Sequence, residues 1–558
     1  MKKILVLICV FLCAFPLWGE YFYNDDAEIF TLSHICRRMG KTLPFTSFPV
    51  HGSDILDYAH TLTQDTAVTL LNDVENGMLD SLILKLENMR NLNLSAGGRV
   101  GAAYEHRLSS GSFLFGDKEL PESEDVRRAY LGFPPFFNVY GETGFFEGLH
   151  LALNVDLRPS WENNLSPSSN FPEKVDVMFD MITKGIFSYN GKYLNLMIGR
   201  DSAHWGNAAG STLYASSLIP HLDGIRMNVP LGRFTFDYSL STIMPKRARY
   251  RDVDDAARRD YPELENSFNV NQKNRLGDHF GFMKDVSDDN PSIIFFMQNR
   301  FQWNYGKVKA GIGSTVVYAR GNNQFLFTDF LPVFNHHNAD SAPNNFSLIL
   351  DAQWTIFPGF SISAMVGFDD ISAKSFGLPD GEVPTIPGAI IQLEYGRADG
   401  NLFQRYMLET GYTHYLWGNF AYTDEPESWY GVYLARAIYR FTPNAYAVLL
   451  PLTSPYGPGS LWAKFNGKFT FTQINLEAGF EVLLLFKNSG ANLVMTPYEE
   501  DGSLAGFDRW FLTVDVPLTY KWRDFKFLVS PALLISRYKT VFGCTLGFRW
   551  QTEGKVKL

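Results

Sequence analysis

Beyond the first twenty residues the chain lacks long hydrophobic runs; the apolar stretches there, such as Ala445 to Leu450 and Val482 to Phe486, are short. A bilayer-spanning helix needs about 20 consecutive, mostly apolar residues, so helical membrane proteins are excluded. Cysteine is scarce, at 4 in 558 residues. Two of these, Cys9 and Cys13, fall in the N-terminal apolar stretch, which leaves Cys36 and Cys544, too few for a disulfide framework. Charge is sparse as well, at 19% of residues against 15% aromatic and 46% hydrophobic, and that composition excludes disorder. Also missing are a phosphate-cradling glycine loop, a His-Glu-x-x-His pair and a Cys-x-x-Cys pair. His336 and His337 are adjacent and point opposite ways on an extended chain, as do Asp369 and Asp370. No cofactor, no metal and no enzymatic reaction are expected. With a mean hydropathy of −0.11, what remains is a large soluble protein or a transmembrane β-barrel.

What is present at the N-terminus is Lys2 and Lys3, an apolar stretch from Ile4 to Trp18, and a small residue, Gly19. That is the layout of a secretory signal peptide over residues 1–19, with export to the outer membrane as the expectation. Its removal takes two of the 49 basic residues and none of the 59 acidic ones, leaving a net charge of −12. At that net charge no nucleic-acid partner is expected.

The mature chain alternates. Leu149, Leu151, Leu153, Val155 and Leu157 interleave with His150, Ala152, Asn154, Asp156 and Arg158, one apolar face and one mostly polar face of a strand. The pattern recurs at Arg233 to Ser241, Ser347 to Thr355, Ser361 to Asp369, Gln473 to Val482, Leu512 to Trp522 and Val541 to Trp550. These segments run about nine to ten residues, the length at which a tilted strand crosses a bilayer. Aromatic strand ends, such as Phe301 with Trp303 and Tyr305, fit interfacial girdles. The fold class is therefore all-β transmembrane: an antiparallel outer-membrane β-barrel over residues 92–550, with about 18 strands at roughly 25 residues per strand and connection. Polar insertions at Ser109 to Arg128, Glu162 to Asp176, Lys246 to Asn290, Phe325 to Asn345 and Lys374 to Pro387 are expected as extracellular loops, Pro358-Gly359 and Trp522 to Asp524 as periplasmic turns. Within the third insertion, Lys246 to Arg259 reads as a solvated loop of interleaved charges or as a ligand patch. Residues 551–558 are expected to form a polar C-terminal tail.

Ahead of the barrel, residues 20–91 change period. Ile29, Leu32, Ile35, Cys36 and Met39 stand at helical spacing before Gly40. A second helix is expected from the cap Ser53, and a third from about Asp65 to Asn91 with a stripe through Leu70, Val74, Leu79, Leu82, Leu86 and Met89. So few residues bury little by themselves, so the helices are expected on or inside the periplasmic end of the barrel.

One stretch, Gly199 to Met227 (GRDSAHWGNAAGSTLYASSLIPHLDGIRM), is dense in sugar-binding chemistry. Arg forks, carboxylates and an indole face are what saccharides require, and Arg200, Asp201, His204, Trp205, His221, Asp223 and Arg226 are the candidate ligand residues. The competing reading is a plug-like loop in which Arg200, Asp201, Asp223 and Arg226 pair with one another. Arg320, Asp351 and Asp369 are further lumen candidates. This stretch resembles the signature of the capsule assembly protein Wzi family. Asn345, Asp351, Trp354 and Asp369-Asp370 agree with it in spacing, and Pro451 to Ser460 (PLTSPYGPGS) resembles a family turn. The resemblance implies an eighteen-stranded outer-membrane barrel with a periplasmic helical bundle, acting as a lectin for surface or capsular polysaccharide. The partners expected are outer-membrane lipid and polysaccharide, with the chain monomeric. The alternatives are a porin or FadL-like transporter with an N-terminal plug, and a surface adhesin.

Overall fold

The computed structural model describes residues 21–90, 95–111, 133–145, 148–159, 168–171, 177–178, 182–208, 210–215, 219, 221–242, 293–320, 327–331, 344–372, 384–418, 420–422, 437–439, 448–488, 490–491, 496–498 and 506–557. The signal-peptide segment, the basic segment from Lys246 to Arg259 and the pair His336-His337 lie outside the described residues.

Period-two segments become strands of a closed antiparallel barrel with eighteen crossings among the described residues. The first six are β1 (Ser95–Ser109), β2 (Phe137–Phe145), β3 (Leu149–Pro159), β4 (Val177–Met178 and Ile182–Asn190), β5 (Asn195–Asp201) and β6 (Leu222–Leu231). The next six are β7 (Phe234–Thr242), β8 (Ile293–Tyr305), β9 (Val308–Arg320), β10 (Asn344–Phe357), β11 (Phe360–Phe368) and β12 (Pro387–Asp399). The circuit ends with β13 (Leu402–Thr413), β14 (Ser460–Phe471), β15 (Leu476–Lys487), β16 (Arg509–Asp515 and Leu518–Trp522), β17 (Phe525–Ser536) and β18 (Thr540–Lys557). Pro517 lies in the break of β16, where the ladder has no use for a residue without an N–H.

β18 closes on β1, from Gly543 opposite Ser109 to Lys557 opposite Ser95. Residues 551–557 are therefore strand and not the expected tail: they supply the partner that the first half of β1 would otherwise lack, and an unpaired edge in lipid is costly. The segment expected as a strand from Gln473 begins with a 3-10 turn, Thr472–Ile474, before β15.

Alternation sorts the two faces. On β3, Leu151 and Leu153 are about two-fifths exposed whereas Ala152 and Asp156 are buried. Exposed outward residues such as Ile198, Ile312, Leu350, Ile391, Leu408 and Phe465 form the apolar belt. Trp303 stacks on Tyr305 at 5.5 Å beside the turn that joins β8 to β9. Connections of two to four residues join the strands at one end of the barrel, and the other end carries the long connections and the three-residue turn 537–539.

The N-terminal segment forms α1 (Ala27–Arg38), α2 (Gly52–Thr63) and α3 (Asp73–Arg90) around a core that includes Leu32, Ile35, Ile55, Ala59 and Leu79. Gly40, at φ 69°, ends the first helical stretch. The second helix is capped by His51, whose Nδ1 accepts from the Ser53 amide at 3.2 Å, and not by Ser53 itself. The third stretch breaks: Thr66–Leu70 is a 3-10 turn with Leu70 exposed, and α3 starts after Asn72. Asn72 and Glu75 exchange amide bonds at 2.9 and 3.1 Å, a reciprocal cap that fixes the start of α3.

These helices enter the short-turn end of the barrel. Thr355 Oγ1 donates to the Lys41 carbonyl at 2.8 Å, Lys309 Nζ to Leu43 at 2.6 Å and Gln302 Nε2 to Pro44 at 2.6 Å. Arg37 of α1 meets Glu394 of β12 at 2.8 Å with both side chains buried, and Arg405 of β13 pairs with the same carboxylate. The inward polar phase of the strands thus supplies partners for a backbone that has left water.

Candidate functional site

Between β5 and β6 the chain does not arch away from the barrel; it folds into the lumen. Gly206 permits the reversal, at φ 107°, and a Cβ there would stand 2.4 Å from Met365 Cε. A Cβ on Gly210 would stand 2.1 Å from a Glu409 carboxylate oxygen, so the glycine lets this loop reach the wall. Ser211 then donates to Glu409 from its amide at 2.8 Å and from its hydroxyl at 2.5 Å. Trp462 Nε1 donates to the same carboxylate at 3.0 Å.

Inside the barrel the loop meets the N-terminal segment. His204–Trp205 pairs antiparallel with Ser47–Phe48, and the Gly206 amide donates to the Thr46 carbonyl at 3.0 Å. Trp205 is 2% exposed. His204 Nε2 lies 2.8 Å from the Ala208 carbonyl, and burial holds its pKa below the ordinary imidazole value.

Below this ladder sits an ion pair. Arg300 of β8 grips Asp351 of β10 through Nε at 2.9 Å and Nη2 at 2.7 Å, with neither side chain exposed. Tyr214 OH donates to Asp351 at 3.2 Å, and Asn207 also donates to it. Thr46 and Gln302 receive the remaining Arg300 nitrogen. The pair therefore ties two wall strands, the inward loop and the N-terminal segment into one network in which every lone pair of Asp351 is spoken for.

Other candidates divide by phase. Asp201 accepts from Tyr23 OH at 2.7 Å, and Arg226 donates to the Ser202 and Asp201 carbonyls at 2.5 and 2.7 Å. Both face inward and hold the N-terminal segment and the loop base. Arg200 and Asp223 share the outward phase of Ile198 and Ile225. They form a bidentate pair at 2.5 and 2.8 Å near the long-loop rim, 27% and 22% exposed. His221 is buried beside this pair. Asp369 accepts from Ser347 Oγ and the Gly418 amide, each at 2.8 Å, and fastens the connection after β13. The Arg320 side chain lies outside those described. The nine described candidates thus fall into three places: the lumen core, the outer rim and the strand ends. Arg300 and Glu409, which organise the core, were absent from the sequence-derived set. The alternation of β8, in which Phe301 and Trp303 face out, puts Arg300 on the polar face and is the signal that points to it.

Among the described residues no group of three or more His, Cys, Asp or Glu is arranged to hold a metal ion. Cys36 and Cys544 are free thiols.

No family model matches the chain, and no curated protein matches it. Among solved structures the chain is similar to Wzi of Escherichia coli, an outer membrane protein involved in group 1 capsule assembly and described as a carbohydrate-binding β-barrel. The likeness covers 96% of this chain and 99% of that one, with a TM-score of 0.56 and 11% identity. Pseudomonas aeruginosa OpdL and OpdQ are more distant, covering 82% and 83% of this chain and 98% and 99% of theirs, at TM-scores of 0.38 and 0.35 and identities of 9% and 8%. At these identities the likeness is one of fold, the transmembrane antiparallel barrel.

Proposed function

We propose that this chain is an exported outer-membrane barrel that binds surface polysaccharide without catalysis, in the manner of a capsule-attachment lectin. The observation that carries the reading is occlusion. The loop from the long-loop end and the segment from the short-turn end pair strand to strand at His204–Trp205 and Ser47–Phe48, and the buried Arg300–Asp351 pair locks them to the wall. A lumen filled in this way favours recognition at the surface over passage through the barrel. The whole-length likeness in fold to a carbohydrate-binding barrel supports the same reading.

On this reading the short turns face the periplasm and the long connections the exterior, as in outer-membrane barrels generally. Arg200 and Asp223, the candidate pair with solvent access, offer the guanidinium fork and carboxylate to sugar hydroxyls. Trp205, His204, Asp201 and Arg226 serve by holding the loop that carries the rim. The test is a glycan array with the refolded chain. Arg200→Ala is expected to weaken binding about tenfold while the barrel stays folded, and Trp205→Ala to lower stability as well as binding. Native protein that binds no glycan on the array would overturn the proposal.

A transporter with an N-terminal plug is favoured by one observation, the docking of α1 to α3 inside the barrel, and planar-bilayer conductance separates the two. Steady large openings of the pure protein select the transporter; a closed bilayer retains the lectin.

A further inference from the structure

The N-terminal helices fill only part of the short-turn half of the lumen. Beside them lies a cavity of 640 Å³, between Asp25, Asp26 and Phe30 on the helical side and Arg405, Lys468 and Lys526 on the wall. Lys526 does not stand alone. On the same inward face it is directly opposite Lys521 of β16 and Arg549 of β18. All three are exposed, although their outward neighbours Tyr520 and Trp522 are the residues that meet the interface. Towards the other end the inward residues of these strands, Phe511, Leu485, Leu534 and Val541, are buried, so the basic row is reached from the short-turn end.

Like charges directly opposite one another across strands destabilise a sheet, and three in a row on adjacent strands are placed against that rule. Of the acids nearby, Glu105 pairs with Arg549 at 2.6 Å, Glu477 with Lys468 at 3.2 Å, and Glu394 with Arg37 and Arg405, while Asp524 lies in the turn between Lys521 and Lys526. Asp25 and Asp26 face the cavity from the helical side, across from the row. Lys521 and Lys526 have no ion-pair partner among the described residues. Arg and Lys in a recess bordered by protein concentrate anions, and an oxyanion at Lys521 and Lys526 would relieve there the repulsion that the Glu105 carboxylate already relieves at Arg549. The step along the row is one strand spacing, ~4.8 Å, which matches the advance of one sugar residue along an extended glycan.

We infer that Lys521, Lys526 and Arg549 form a binding site for a segment of acidic polysaccharide, carrying a carboxylate or phosphate on successive residues, that enters the barrel from its short-turn end. This deepens the polysaccharide reading and rests on it for the carrier of the anions. It adds a second contact, on the side of the membrane opposite to the rim pair Arg200–Asp223.

The experiment is fluorescence anisotropy of dye-labelled hexagalacturonate against the full chain in detergent micelles, with maltohexaose and inorganic tripolyphosphate as competitors. The native chain is expected to bind the acidic hexamer and to be displaced by neither maltohexaose nor, at equal charge, by tripolyphosphate. Lys521→Gln with Lys526→Gln is expected to weaken binding about tenfold or more, two exposed charge contacts being lost, and Lys521→Arg with Lys526→Arg to retain it. The heat-modifiable shift of the folded barrel on gels controls for folding of each variant. No binding by the native chain, unchanged binding in the glutamine pair, or tighter binding of tripolyphosphate than of the hexamer each overturns the site. Capture of polysaccharide at the surface of intact cells, where the short-turn end is out of reach, is expected to be unchanged in the glutamine pair. Failure of that capture in the native chain counts against the lectin reading, whereas failure of the micelle titration alone counts against this site.

Discussion

Asp351 shows how far a single residue could be read from the sequence. Its position on the polar phase of an alternating segment placed it in the lumen, and there it is. Its role came from Arg300, 51 positions away, which the ladder of β8, β9 and β10 brings within a bidentate grip. A buried pair of this kind is expensive to halve, by roughly 3 to 5 kcal/mol, because the remaining charge has no water. Asp351→Ala is therefore expected to lower the thermal midpoint of the folded barrel sharply, Asp351→Asn less so, and Arg300→Met with Asp351→Leu to recover much of the loss; heating scans of the gel-shift band in micelles check the order. His51 carries a second residue-scale prediction. Burial, with the His150 ring tilted against it at 4.3 Å, depresses its pKa from 6.5 to about 3. Between those values the unfolded chain holds more protons on this ring than the folded one, so its contribution to stability rises with pH across the window and is complete above 6.5. Asp26 and Asp54, raised by burial from 3.8 to about 6, act in the opposite sense between those values. His51→Gln is expected to flatten the rise, read as the pH dependence of helix-segment protection in hydrogen exchange.

At the scale of elements, local signals and tertiary ones part company. Gly40 ended its helix where the spacing placed the end, and the alternating strands β3, β7 and β10 stand where their faces put them. The third helix did not run through from Asp65, since Asn72 and Glu75 cap each other and start a new helix; an Asn followed three residues later by Glu is a signature that an apolar stripe overrides in a simple reading. The loop after β5 carries the larger lesson. Its run of small residues spoke for close packing, but its inward turn depends on Glu409 and Met365, two hundred and more than one hundred and fifty residues on by chain order, roughly, and no local pattern announces them. The helical segment is held by Arg37, Glu394 and Arg405, two cations sharing one carboxylate. Glu394→Ala leaves both cations unpaired, and it is expected to loosen the segment and to raise single-channel activity in planar bilayers from closed to intermittent openings. Conductance that stays at the native level would place the hold elsewhere.

For the whole molecule the expectation is a barrel closed to ions until its N-terminal segment is removed. A chain lacking residues 21–90, refolded and verified by its gel shift, is expected to conduct steadily, since the His204–Trp205 ladder would lose the strand it pairs with. The sequence by itself determined the class: period-two alternation decides which residues face lipid and which face the lumen, because every backbone group in hydrocarbon must be paired and a closed sheet of such strands is the arrangement that does it. It determined the helical character of the N-terminal segment by the same kind of local periodicity, 3.6 in place of 2. The tertiary structure alone decided that the loop after β5 meets the N-terminal segment inside the barrel, that Arg200 and Asp223 turn outward while Asp201 and Arg226 turn inward, that residues 551–557 seal the barrel against β1, and that three basic residues from three strands stand in a row. Each of these depends on register and closure, which set residues side by side according to hydrogen-bonded ladders between distant segments, and a one-residue slip would rewrite every one of them.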